Sequence, residues 1–256
     1  MIYDRFQQEA IEHINCGHSV IVSAPTGAGK TAIAEHIISG SIQNNIGVIY
    51  TAPIKALSNQ KYRDFQNQFQ DNIGILTGDV SINPQAPVLI MTTEIFRNKL
   101  LDEPKSLDKY SWIIFDEIHY IDNPERGTVW EESLIFLPKH MNLLGLSATI
   151  PNIEQFARWI ESIHDKTVKV VIEDQRPVPL HFSFQCGNEI VDKIEHLKRL
   201  RFSKPSRLHS LIRHIQEKEG LPAIYFVFSR KRAEELANDL YGFSCLLYTS
   251  PSPRDS

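Results

Sequence analysis

Along most of the chain, short unbroken apolar runs alternate with stretches in which apolar residues return every three or four positions. The first pattern is that of a strand buried on both faces; the second is that of a helix with one buried face. Phe6, Ala10, Ile11 and Ile14 have helical spacing, and Gly17 is placed to stop that helix. Residues 19–22 read as a strand, 30–39 as a helix ended by Gly40, 47–52 as a strand, 54–69 as a long helix and 73–76 as a strand. A strand over 88–92 leads into a helix over 93–101, and 112–115 is a fully buried strand. Asn123-Pro124-Glu125 has the form of a cap with proline in the first turn, opening a helix to Leu137. A strand over 143–146, a helix over 152–163 and a strand over 168–172 complete the series. This alternation predicts an α/β fold: a parallel sheet with helices on both faces, whose ligands bind at the carboxyl ends of the strands.

Polar residues after each strand therefore carry the candidate chemistry. Ala24-Pro25-Thr26-Gly27-Ala28-Gly29-Lys30-Thr31 follows a strand and opens a helix. Glycines there let backbone N–H groups turn inward on phosphate oxygens, and the helix N-terminus adds a favourable dipole. Lys30 would reach the outer phosphates and the Thr31 hydroxyl would ligate Mg²⁺. Ala24 stands where the usual pattern has glycine, and its small side chain still fits. Asp116 and Glu117 end the buried strand 112–115, where adjacent carboxylates are costly unless a cation is near. Asp116 would hold the metal, and Glu117 would orient and deprotonate an attacking water. Ser147-Ala148-Thr149 follows another apolar strand, which brings the hydroxyls of Ser147 and Thr149 to the same edge. Phosphate loop, acidic pair and hydroxyl turn, in that order, read as a nucleotide-hydrolysing core.

Composition narrows the setting. The chain has 256 residues, a net charge of −4 and 42% hydrophobic residues, which excludes a disordered, collagen-like or coiled-coil chain. Its three cysteines are too dispersed for a disulfide framework or a zinc site, which fits a reducing compartment and an expected cytoplasmic location. No apolar run has the length of a membrane span, and no membrane partner is expected. Residues 193–213 carry seven Lys/Arg against one Glu, either a solvated helix face or an edge that faces phosphates. Trp112, Trp130 and Trp159 lie at strand or helix positions that point to the core rather than to base stacking.

The order and wording of these segments resemble the superfamily-two DExH-box helicases, particularly the superkiller-type RNA helicases that serve the RNA exosome. The resemblance runs through residues 1–240 and implies RecA-like domains, ATP and Mg²⁺ as cofactors, and single-stranded RNA as partner. Gln7, after Phe6, resembles the family's adenine-reading glutamine. The run from Thr51 through Pro53, Lys55 and Ala56 to Gln60 resembles its first strand-tracking motif. Gly78-Asp79 and Thr92-Thr93-Glu94 resemble the next elements on the nucleic-acid backbone. Asp116-Glu117-Ile118-His119 is the DEIH form of the family box, and the resemblance gives His119 a role in coupling hydrolysis to RNA. Ser229, in Val227-Phe228-Ser229, resembles part of the second domain's first motif.

Hydroxyls, backbone amides and helix N-termini hold phosphates without a high lysine count, so a net charge of −4 does not oppose a nucleic-acid partner. A DNA translocase of the same superfamily would share every catalytic residue, and a non-catalytic ATP-binding module is the further alternative.

Arg176-Pro177-Val178-Pro179 is a stiff breaker and resembles the family's interdomain joint. The expected organisation is a RecA-like ATP-binding domain over 1–175 and the start of a second over 176–244. In the latter, helices at 206–219 and 230–240 flank a strand at 223–228. No arginine-rich Q-x-x-G-R-x-G-R segment follows Ser229 in this sequence. Such arginines are worth about 10³ to 10⁵ in rate in related phosphoryl transfers, so the chain by itself is expected to bind Mg·ATP without useful turnover. Residues 245–256 read as the translation of a transposase-type sequencing adapter, a non-native tail.

Overall fold

The computed structural model describes residues 3–148, 150–186, 189–197 and 208–240. Thr149, the start of the helix expected at 206, part of the basic stretch 193–213 and the tail 245–256 lie outside them. Two compact units are present, Met1–Pro179 and Leu180–Ser256.

The first unit is a three-layer α/β structure. Its strands are β1 (Ser19–Ser23), β2 (Gly47–Ala52), β3 (Ile73–Leu76), β4 (Ser81–Ile82), β5 (Val88–Thr92), β6 (Tyr110–Phe115), β7 (Asn142–Ser147) and β8 (Val168–Ile172). They form one sheet in the order β4-β3-β5-β2-β6-β7-β1-β8. Every pairing is parallel except β3 with the two-residue edge strand β4. β1, β2 and β5 are buried at every position, as expected of strands covered on both faces.

Alternate side chains feed two cores. Val20, Val22, Val48, Tyr50, Ile75, Ile90, Ile114 and Leu144 point to one face. There they meet α1 (Arg5–Asn15), α2 (Thr31–Gln43) and α3 (Lys55–Phe69) through Phe6, Ile33, Ile37 and Phe65. Ile21, Ile49, Leu89, Met91, Ile113, Phe115 and Leu143 point to the other. These pack on α4 (Thr93–Asp102), α5 (Gly127–Ile135) and α6 (Ile153–His164) through Phe96, Trp130, Leu134 and Ile160. Trp112 and Trp130 are buried core residues, and Trp159 packs partly buried against Phe156.

Two expected boundaries move. Helix α2 passes Gly40 and ends at Gln43, because Asn44 N–H still bonds the Gly40 carbonyl and Asn45 takes the left-handed turn at φ 56°. Asn123 does cap, but not a helix beginning at Pro124. Its Oδ1 accepts from the N–H groups of Glu125 and Arg126 at 3.0 Å each, and α5 starts only at Gly127. The 3₁₀ turns 70–72, 104–107 and 118–122 fill connections that carry no periodic signal.

In the second unit, β9 (Phe184–Cys186) and β10 (Glu189–Val191) form a hairpin, followed by α7 (Ile194–Leu197), α8 (Leu208–Glu217) and α9 (Arg230–Leu240). The strand expected at 223–228 is not formed. A strand needs a hydrogen-bonded neighbour, and among the described residues none pairs with this segment; Phe226 and Phe228 stand exposed.

Candidate nucleotide and nucleic-acid site

Parallel pairing puts the ends of β1, β2, β3, β5, β6 and β7 at one edge of the sheet, and the candidate site residues of the first unit other than Gln7 lie at or just after one of these ends. After β1, Gly27 and Gly29 take φ of 87° and 83°, a region where glycine alone is unstrained. The chain thereby folds Ala24, Pro25, Thr26, Gly27, Ala28 and Gly29 into a loop that ends at Lys30 and Thr31. Lys30 Nζ lies across the loop, donating to the carbonyls of Ala24 at 2.7 Å and Pro25 at 3.2 Å. Burial pulls the Lys30 ammonium below its ordinary range, while the nearby carboxylates Glu117 and Asp116 oppose that shift. Gln7 reaches the same loop from α1. Its Nε2 donates to the Gly29 carbonyl at 3.0 Å and its Oε1 accepts from Asp4 N–H at 2.9 Å, closing a capping box.

The acidic pair follows β6. Asp116 N–H donates to the Thr51 carbonyl, and Asp116 Oδ2 accepts from the Tyr50 hydroxyl at 2.6 Å. Tyr50 is fully buried. Burial first, then the charge of Asp116, pushes its phenol well above its ordinary range, so it stays a donor. Glu117 adopts a left-handed backbone, φ 54° and ψ 47°, which a side-chain-bearing residue takes only under constraint from its surroundings. His119 Nδ1 lies 3.3 Å from Glu117 Oε2 and 3.4 Å from Ser147 Oγ. One imidazole thus joins the acidic turn to the hydroxyl turn. That turn is bound to β1 as well: Ala24 N–H donates to the Ser147 carbonyl and Ser23 Oγ donates to the Ala148 carbonyl.

The expected nucleic-acid residues line the other half of the edge. Pro53, Thr92 and Thr93 are buried, while Lys55, Ala56, Gly78 and Asp79 are exposed. Lys55 Nζ pairs with Asp79 Oδ1 at 2.9 Å, linking the loop after β2 to the loop after β3. Thr93 opens α4, and its buried hydroxyl lacks a hydrogen-bond partner among the described residues. Ser229, in the second unit, is exposed; its Oγ accepts from Arg232 N–H at 3.4 Å, at the start of α9.

Three residues join this arrangement that were not anticipated. Tyr50 holds Asp116, and Lys61 Nζ donates to Thr31 Oγ1 at 2.9 Å. Arg126 donates through Nη2 to the Pro53 carbonyl and pairs with Glu94, and its guanidinium lies 5.7 Å from the Trp130 ring. Gly127 lets this segment approach, since a Cβ there would stand 2.1 Å from the Ile121 carbonyl oxygen. A tyrosine inside an apolar strand, whose hydroxyl must find a partner, was the one signal available beforehand.

Comparison with known proteins shows the family of the chain. Residues 4–156 match the family described as DEAD/DEAH box helicase. The chain belongs to that family. It is 41% identical over 266 residues to human exosome RNA helicase MTR4, covering 92% of this chain and 25% of that protein. Against the Saccharomyces cerevisiae antiviral helicase SKI2 it is 44% identical over 221 residues, covering 86% and 17%. The DExH-box ATP-dependent RNA helicase DExH9 of Arabidopsis thaliana is 40% identical over 270 residues, covering 91% and 27%. The chain thus spans between about a sixth and about a quarter of the length of these relatives, which are those expected of the superkiller-type branch. Among solved structures, the DUF1998 helicase MrfA superposes with a TM-score of 0.66 at 18% identity over 94% of this chain and 38% of that one, a likeness of fold. In this member of the DEAD/DEAH box helicase family, the RecA-like sheet expected from the resemblance is the observed one. No described helix is long and apolar enough to cross a membrane.

Proposed function

We propose that this chain is the ATP-binding part of an ATP-dependent RNA helicase, in which ATP hydrolysis drives translocation along and unwinding of RNA. The observation that carries the reading is His119, bridging Glu117 and Ser147 at 3.3 and 3.4 Å at the edge where the Lys30 loop opens. Lys30 binds the outer phosphates, backbone N–H groups around Gly27 and Gly29 cradle them, and Gln7 borders the base. Glu117 orients the attacking water and takes its proton. Pro53, Lys55, Ala56, Gly78, Asp79, Thr92, Thr93 and Glu94 carry the RNA backbone in the first unit, and Ser229 contacts RNA in the second. The names of the relatives, RNA helicases, favour RNA over DNA.

The donor set suits Mg²⁺: the Thr31 hydroxyl and the Asp116 carboxylate are hard oxygens. Bound there, Mg²⁺ would neutralise phosphate charge. The exosome RNA helicase among the relatives supports work within an RNA-degrading complex, and the free thiols of Cys16 and Cys186 accord with a cytoplasmic place.

Two measurements test this reading. Fluorescent ATP should bind the chain and lose at least tenfold in affinity with Lys30→Ala; equal binding by that variant would overturn the ATP site. In the full-length protein, single-stranded RNA should stimulate ATP hydrolysis more than DNA of the same sequence, and the reverse order would assign a DNA translocase.

A further inference from the structure

Lys61 sits in mid-α3, six positions after Lys55, in a stretch where sequence gives it no role. Its partly buried ammonium donates to Thr31 Oγ1 at 2.9 Å. It also lies 6.0 Å from the ring centroids of both Tyr50 and Phe65, close enough for ring faces to hold a cation. Tyr50 in turn donates to Asp116 at 2.6 Å. Thr31 and Asp116 are the two oxygen donors assigned to Mg²⁺ above. A fixed cation thus bonds the first and rests on the ring whose hydroxyl bonds the second.

That position has two electrostatic consequences of opposite sign. A unit positive charge at the phosphate loop attracts a nucleotide's phosphates, adding to Lys30, whose ammonium feels the charge of Lys61. The same charge repels a divalent cation at Thr31 and occupies a lone pair that the cation needs. Burial pushes the carboxyl of Glu35, one turn along α2 from Thr31, above its ordinary range, and the Lys61 charge opposes that shift.

We propose that Lys61 is a positioning residue of the nucleotide site that holds Thr31 in competition with Mg²⁺, strengthening metal-free nucleotide binding while restraining the metal's contribution. This rests on the reading of the site as an ATP site. Lys61 gives up Thr31 when the metal enters with the nucleotide, and the attraction of its charge for the phosphates is then offset by its repulsion of the metal.

The test measures binding of a fluorescent ADP to the chain by anisotropy, in EDTA and in excess Mg²⁺. Lys61→Met keeps the length of the stem and its helix propensity but removes the charge. It should weaken binding about five- to tenfold in EDTA and leave binding in Mg²⁺ as tight or tighter, so the ratio of the two affinities rises about tenfold. Lys61→Arg, which keeps the charge, should hold the ratio near the wild-type value. If Lys61→Met fails to give the wild-type circular dichroism spectrum, Lys61→Gln takes its place in the same comparison. An unchanged ratio in the uncharged variant overturns the proposal, whether both affinities fall together or neither moves. If the wild-type chain binds no ADP, or Lys30→Ala binds it equally well, the ATP-site reading itself fails.

Discussion

Arg126 and Glu94 form an ion pair that closes the half of the sheet edge proposed for nucleic acid onto the segment following the DEIH turn. Because the same Nη2 also donates to the Pro53 carbonyl, one guanidinium ties the loop after β2, the start of α4 and the entry to α5. Rings extend the link: Arg126 lies on Trp130, Trp130 stacks on Tyr120 at 5.7 Å, and Tyr120 meets His119 at 5.4 Å. A packed chain of side chains thus runs from Glu94 to the imidazole beside Glu117.

Arg126→Ala should lose about 1–2 kcal/mol of stability, discounted because the pair is one-third exposed. Arg126→Lys should lose nearly as much, since an ammonium lacks the planar fork and the ring-stacking surface of the guanidinium. Urea unfolding of the three proteins checks this; a lysine variant as stable as the wild type would show that charge alone makes the tie.

Glu117 stores strain in its left-handed backbone. Glycine adopts that conformation freely, and alanine there costs about 1 kcal/mol. Glu117→Gly should therefore be about 1 kcal/mol more stable than Glu117→Ala, reversing glycine's usual disadvantage. Equal melting temperatures for the two variants would mean that the turn relaxes once the carboxylate is gone.

Tyr50→Phe removes the only side-chain donor given to Asp116 by the described residues. The fold should lose about 1 kcal/mol, and ADP affinity in Mg²⁺ should drop several-fold while affinity in EDTA changes little. An equal drop under both conditions would place the effect in packing of the phosphate loop rather than in the aim of Asp116.

His164 ends α6, buried, with Nε2–H donating to the Leu134 carbonyl at 2.7 Å. Burial holds its folded pKa below the ordinary 6.5, so the unfolded chain takes up the proton first as pH falls. Its contribution to stability is complete above pH 6.5 and is lost as pH drops through the folded value. His36, lowered by burial too, acts in the same sense. Melting temperatures between pH 7.5 and 5.5 should fall for the wild type and fall less for His164→Gln; matching slopes would assign the pH dependence elsewhere.

What the sequence determined by itself was whatever local periodicity and local chemistry encode. Unbroken runs such as 19–22 and 112–115 have the pattern of strands covered on both faces, and Gly27 and Gly29 before Lys30-Thr31 specify a tight turn at the start of a helix. Parallel pairing then brought Lys30, Asp116, Glu117 and Ser147 to one edge without further information. Only the tertiary structure decided which groups complete that edge. Lys61 meets Thr31, Arg126 meets Glu94, and Tyr50 meets Asp116 across 30, 32 and 66 positions of sequence. No period relates such partners; they are set by how α3 and α5 lie on their two faces of the sheet. The segment 223–228 makes the same point from the other side. Its composition is that of a strand, but a strand exists only where a neighbour accepts its hydrogen bonds, and no composition supplies the neighbour.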